Sequence, residues 1–152
     1  MDSQCQRKLP SITLVIQVTS KVIKVRLNTK PQAASRPRVT RYGAYHTKNY
    51  TEFKNEAHRE LLKLKLPKAD EGMFYVSLEI ICKKPRNPSQ EYPQGDVDNY
   101  VKSYLDAITK AGLVWNDDVQ VIGLNAVKRY QEPKEEYGCN ITIRKVKDAT
   151  GL

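Results

Sequence analysis

The chain has 152 residues and a formal charge of +9, from 26 Lys and Arg against 17 Asp and Glu, which suits one domain with a real core. Residues 1–50 hold ten Lys/Arg and a single acid, Asp2, while residues 51–152 hold sixteen of each, so the excess attracts a polyanion such as nucleic acid, or an anionic membrane surface, to the first third of the chain. Three cysteines without CxxC spacing argue against a disulfide framework and a zinc site, and the apolar run Ile12–Val18 is too short to span a bilayer. A reduced, cytoplasmic setting fits, and an ordinary basic surface is the plainer account of the charge.

In chain order, Ile12, Leu14, Ile16 and Val18 alternate, then Ile23, Val25 and Leu27. Both runs read as strands, with a possible hairpin across Thr19–Ser20–Lys21. Thr29–Tyr50 reads as irregular, broken by Pro31, Pro37 and Gly43, with Arg36, Arg38, Arg41 and Lys48 interleaved with Tyr42, Tyr45, His46 and Tyr50. Phe53, Ala57, Leu61 and Leu64 then form a helical stripe, with Thr51 as the expected N-cap and Pro67 and Gly72 ending it. Phe74, Val76, Leu78, Ile80 and Cys82 alternate as a strand, followed by the Pro-rich loop Lys83–Gly95. A second helix is expected over about Asn99–Ala111, closed by Gly112 in a left-handed cap. Val119–Lys128 and Cys139–Arg144 read as the last strands. The order ββαβαββ points to the α/β class, of the α+β kind: a mixed sheet with both helices packed against it.

Two pairs of carboxylates flank the second helix, Asp96/Asp98 and Asp117/Asp118. In an extended lead-in, residues two apart point the same way, so Asp96 and Asp98 are able to converge. Asp98 is also a natural helix N-cap, but capping accounts for neither Asp96 nor the second pair. If the sheet brings Asp118 beside the start of the helix, three carboxylates face one another and repel. A hard cation relieves that repulsion, and oxygen-only ligands select Mg²⁺ or Mn²⁺. A metal held by acids within a basic protein is the arrangement phosphodiester cleavage needs. Lys102, four residues after Asp98, is placed to orient a carboxylate, stabilise a leaving oxyanion or contact a phosphate; an ion pair with Asp98 or Asp106 is the structural alternative.

The stretch "DVDNYVKSYLDAITKAGLVWNDDVQV" resembles the pattern of the RusA family of Holliday junction resolvases. That pattern is D-x-D-N, a lysine four residues after the second Asp, a D-A-[IL]-x-K-A-G helix end, then an aromatic and D-D-x-Q-V. The upstream "SRPRVTRYGAYHTKNYTEFK" looks like the family's Arg-rich segment. The likeness spans about Val22 to Val146. It implies a Mg²⁺-dependent endodeoxyribonuclease, acting as a homodimer on four-way junctions by paired symmetric nicks in recombination and repair, bacterial or phage-encoded and nucleoid-associated. It also implies Asp96, Asp98 and Asp118 as catalytic metal ligands, Lys102 as the catalytic lysine and Asp117 as support for Asp118. The implied domain covers residues 21–147, between an N-terminal extension 1–20 that has no counterpart in the family and a tail 148–152.

The loop Lys83–Gly95 lacks the family's dense Arg run, which leaves more of the DNA grip to Arg36, Arg38 and Arg41, with Tyr42, Lys48 and Lys102 beside them. Tyr42, Tyr45 and Tyr50 are placed to stack on bases at a branch point, with loop packing as the plainer role. His58 is expected to be exposed, and Trp115 to lie in the core or a dimer interface. Two other readings remain open: a general branched-DNA or flap nuclease on the same scaffold, and a non-catalytic DNA-binding protein.

Overall fold

The computed structural model describes residues 17–147. Strand β1 covers Gln17–Leu27, and a small hairpin follows, β2 (Arg38–Thr40) and β3 (Gly43–Tyr45). Helix α1 covers Lys48–Lys63, β4 Met73–Cys82 and α2 Val97–Ala111. A 3-10 turn at Asp118–Gln120 leads into β5 (Val121–Tyr130), and β6 (Gly138–Lys147) closes the chain. The main sheet has the order β1-β6-β4-β5, with β4 parallel to β5 and antiparallel to β6. It is mixed, as the element order predicts.

Alternation builds one buried face. Val25 and Leu27 of β1, Phe74, Val76, Leu78 and Ile80 of β4, and Cys139, Ile141 and Ile143 of β6 join a single core. The helices cover that face, with Tyr50, Phe53, Ala57 and Leu61 from α1 and Tyr100, Val101, Tyr104, Leu105 and Ile108 from α2. Each fully buried aliphatic such as Leu61 or Ile108 contributes about 1.5–3 kcal/mol over an exposed position. At the β5 edge a Cβ on Gly123 would lie 2.3 Å from the Tyr75 ring; glycine lets that ring lie across the strand.

Several expectations are corrected. There is no turn at Thr19–Lys21: β1 runs through it, pairing with β6 on both sides of an irregularity between Val18 and Val22. Ile12, Leu14 and Ile16 lie outside the described residues. The segment read as irregular contains the β2–β3 hairpin, whose two-residue turn is Arg41–Tyr42. Helix α1 starts a turn early, capped by Thr47, whose side chain accepts from the Tyr50 N–H. The Thr51 hydroxyl instead donates back to the Thr47 carbonyl at 3.0 Å, and Leu64 is an exposed C-cap past the stripe.

Gly112 does close α2 in the left-handed region, at φ 70° and ψ 28°. The described cysteines, Cys82 and Cys139, are free and buried. Trp115 is wholly buried against Phe74, in the core. No helix among the described residues is long and apolar enough to cross a membrane.

Candidate active site

The chain is held firmly where it enters α2. Lys128 of β5 donates to the carbonyls of Pro93 (2.7 Å) and Gly95 (2.5 Å), and the Tyr100 hydroxyl donates to the Gln94 carbonyl at 2.9 Å. These bonds fix the backbone one residue before Asp96. Asp96, not Asp98, is the N-cap residue, and its carboxylate makes no capping hydrogen bond. Only its backbone carbonyl accepts, from the N–H groups of Asn99 and Tyr100. An N-cap carboxylate ordinarily takes up a free N–H of the first turn; here it stays exposed and disengaged. Asp98 sits in the first turn, also exposed, where the helix dipole favours its charge.

The second acid pair is positioned from the core. The Trp115 Nε1–H donates to the Thr109 hydroxyl at 2.7 Å, tying the segment after α2 to the helix itself. Asp117 caps the 3-10 turn and accepts from the Val119 N–H at 3.0 Å. Gln120 completes the cap by accepting from the Asn116 and Asp117 N–H groups, and its amide donates to the Asp70 and Gly72 carbonyls. Asp117 is thus committed to holding the turn, which leaves Asp118 to face the helix.

Asp118 is half-buried and its carboxyl is held above the usual range, first by burial, then by contact with Asp117 and the charge of Asp106, with Lys102 opposing. Lys102 Nζ and Asp106 are 3.5 Å apart, the ion pair that their spacing allows. Asp98, Lys102 and Asp106 fall four residues apart, in one row along α2. The structure therefore brings Asp118 beside the Lys102–Asp106 part of that row, and sets Asp98 and Asp96 at its start. Asp106 as a neighbour of Asp118 escaped the sequence reading; its only signal was the spacing from Lys102.

The donor set is oxygen-only and acid-rich, which suits a hard divalent cation. Mg²⁺ is commonly bound by one or two carboxylates, waters and substrate phosphate rather than a full protein cage. Among the described residues no group of three His, Cys, Asp or Glu is gathered closely enough to form such a cage.

The expected DNA contacts divide into three places. Arg36 lines a cleft between the helices. Arg38, Arg41 and Tyr42 lie on the β2–β3 hairpin, whose strand residues are all exposed. Tyr42 is 85% exposed, with the Arg41 guanidinium 5.0 Å from its ring. Lys48 opens α1, 3.9 Å from Glu52. Tyr50 is corrected: at 3% exposure it belongs to the core and has no face for a base. His58 is also corrected, since it is half-buried in the cleft wall with its Nδ1 enclosed.

Residues 28–144 match a family model described as endodeoxyribonuclease RusA. No curated protein matches the chain. The matched span contains every site residue named above.

Proposed function

The chain belongs to the RusA family of Holliday junction-resolving endodeoxyribonucleases, and from that premise we propose that its cleavage is Mg²⁺-dependent, with Mn²⁺ able to substitute, and serves DNA recombination and repair in the cytoplasm of a bacterial host. In this reading Asp96, Asp98 and Asp118 hold the ion, Lys102 faces the phosphate and Asp117 keeps Asp118 in place. The observation that supports it is the contrast at α2: Asp118 lies within electrostatic reach of Lys102 and Asp106, while Asp96 and Asp98 remain disengaged at the start of the same helix.

The ion, when bound, supplies Lewis-acid stabilisation of charge on the phosphate. The protein's own groups do the rest. The Lys128 bonds and the Trp115 anchor hold the two acid-bearing segments against α2 before substrate arrives, so little reorganisation accompanies the reaction. Lys102, paired with Asp106 at 3.5 Å, would add positive charge beside the phosphate. Arg36, Arg38, Arg41 and Lys48 contact backbone phosphates, and Tyr42 offers an open ring to a base at the branch. Residues 21–147 form the catalytic domain in this reading. Opposed strands of a two-fold junction need two such sites, so the acting species is a homodimer.

The test is cleavage of four-way junctions, flaps and plain duplex, each with Mg²⁺ and with a chelator. The reading expects metal-dependent paired nicks and a junction preference above about tenfold, or about 1.4 kcal/mol. A smaller preference assigns a general branched-DNA nuclease, and junction binding without any cleavage assigns a non-catalytic binder.

A further inference from the structure

A cleft of about 670 Å³ opens between α1, α2 and the segment preceding the β2–β3 hairpin. Its size falls in the range of about 300–1,000 Å³ typical of sites that enclose a small ligand. It therefore admits a short single-stranded stretch of chain rather than the face of a duplex.

The charge around it is one-sided. Arg36, Lys54, Lys102 and Lys110 line it, against a single acid, Asp106. Asp106 is already paired with Lys102. Arg36, Lys54 and Lys110 have no carboxylate partner among the described residues. Lys54 lies 5.3 Å from the Tyr50 ring centroid, which steadies its stem at the cleft wall. Three unpaired cations converging on one concavity repel one another unless an anion joins them.

The placement says which anion. Lys102 belongs both to the cleft and to the Asp118 cluster, and Lys110 lies eight residues farther along α2, roughly 12 Å at the helical rise. That distance spans about three to four phosphates along the axis of one DNA strand. We propose that the cleft is a phosphate-binding subsite which grips the backbone of the cut strand where it leaves the carboxylates, through Lys54, Lys110 and Arg36. The inference rests on the junction-cleavage reading and extends it to residues outside the resemblance's catalytic set.

The experiment uses the full chain and a four-way junction in chelator, with affinity measured across a salt series. Wild type is compared with Lys54→Met and Lys110→Met, which keep most of the apolar stem, and with Lys24→Met on the sheet face away from the helices. Each cleft variant is expected to reduce the slope of log affinity against log salt by about 0.9, one phosphate each, and Lys24→Met to leave it unchanged. Unchanged slopes in both cleft variants, or an equal fall in Lys24→Met, overturn the subsite. Inorganic phosphate at constant ionic strength separates the sources. If it raises the wild-type Tm and not that of the variants, while the slopes stay equal, the cleft is a free-phosphate site and the backbone proposal fails. A wild type that cuts junctions while the variants keep its slope overturns the cleft alone. A wild type that binds with the predicted slope losses but never cuts overturns the cleavage reading alone.

Discussion

Carboxylates on the two faces of the sheet are treated in opposite ways. On the face away from the helices, Arg129 of β5 makes a bidentate pair with Glu135, at 2.7 and 2.8 Å, and lies 3.5 Å from Glu79. The Arg129 guanidinium, aided by the Glu132 N–H, pulls the Glu135 carboxyl down to about 2. On the helix side, Asp96 and Asp98 are disengaged and Asp118 is raised by burial and by other acids. The first set closes the β5–β6 connection. The second keeps negative charge uncompensated, the arrangement expected where a ligand, not the fold, completes the site.

The contrast is broken most sharply by neutralising the open acids. Asp118→Asn and Asp96→Asn are each expected to lower junction cleavage by at least ~100-fold, since metal-assisted stabilisation is worth several kcal/mol, while junction affinity in chelator persists. Asp118→Asn should also leave Tm equal or higher, because it removes a charge that folding disfavours. The raised carboxyl binds its proton more tightly in the folded state, so the variant's advantage should shrink as pH falls through the Asp118 pKa. A fall in Tm alongside lost activity would make Asp118 structural.

A smaller effect is expected one step removed from the acids. Lys128→Met frees the Pro93 and Gly95 carbonyls and loosens the backbone before Asp96. A displacement near 1 Å costs up to ~100-fold in rate, and about tenfold lower kcat is expected at unchanged salt dependence of binding. Unchanged kcat would show that the Asp96 position does not depend on that clamp.

The smallest effect on cleavage, none, is expected at Glu135→Gln. Stability is where this variant differs. The depressed Glu135 carboxyl contributes stability above its ordinary pKa of 4.5, lost as pH falls toward about 2. The stabilities of wild type and variant should therefore differ above pH 4.5 and converge as pH falls from there toward about 2. Identical curves throughout would mean the Arg129 pair adds nothing.

Local periodicity made much of this legible. The β4 alternation, the α2 stripe and the Gly112 cap stand where the residues put them, because each is decided within a few positions. The motif strings likewise pointed to the family that the chain belongs to. What failed needed partners distant in sequence. Thr19–Lys21 resembles a turn, but pairing with β6 carries β1 through it. The sheet order, with β4 between β5 and β6, is likewise set by the parallel β4–β5 pairing. At the site, the capping role of Asp117 depends on Gln120 reaching residues 70 and 72, and the cleft exists only because α1 and α2 lie side by side. None of these contacts has a local signal.

Asp96, Asp98 and Asp118 serve one divalent ion in the proposed mechanism, and paramagnetic broadening of backbone amide resonances by substoichiometric Mn²⁺ tests that most directly. The predicted result is broadening centred on residues 96–102 and 117–120 together, displaced by excess Mg²⁺ and lost in Asp118→Asn. Broadening around Asp96 and Asp98 that spares residues 117–120, or that survives Asp118→Asn unchanged, would contradict it.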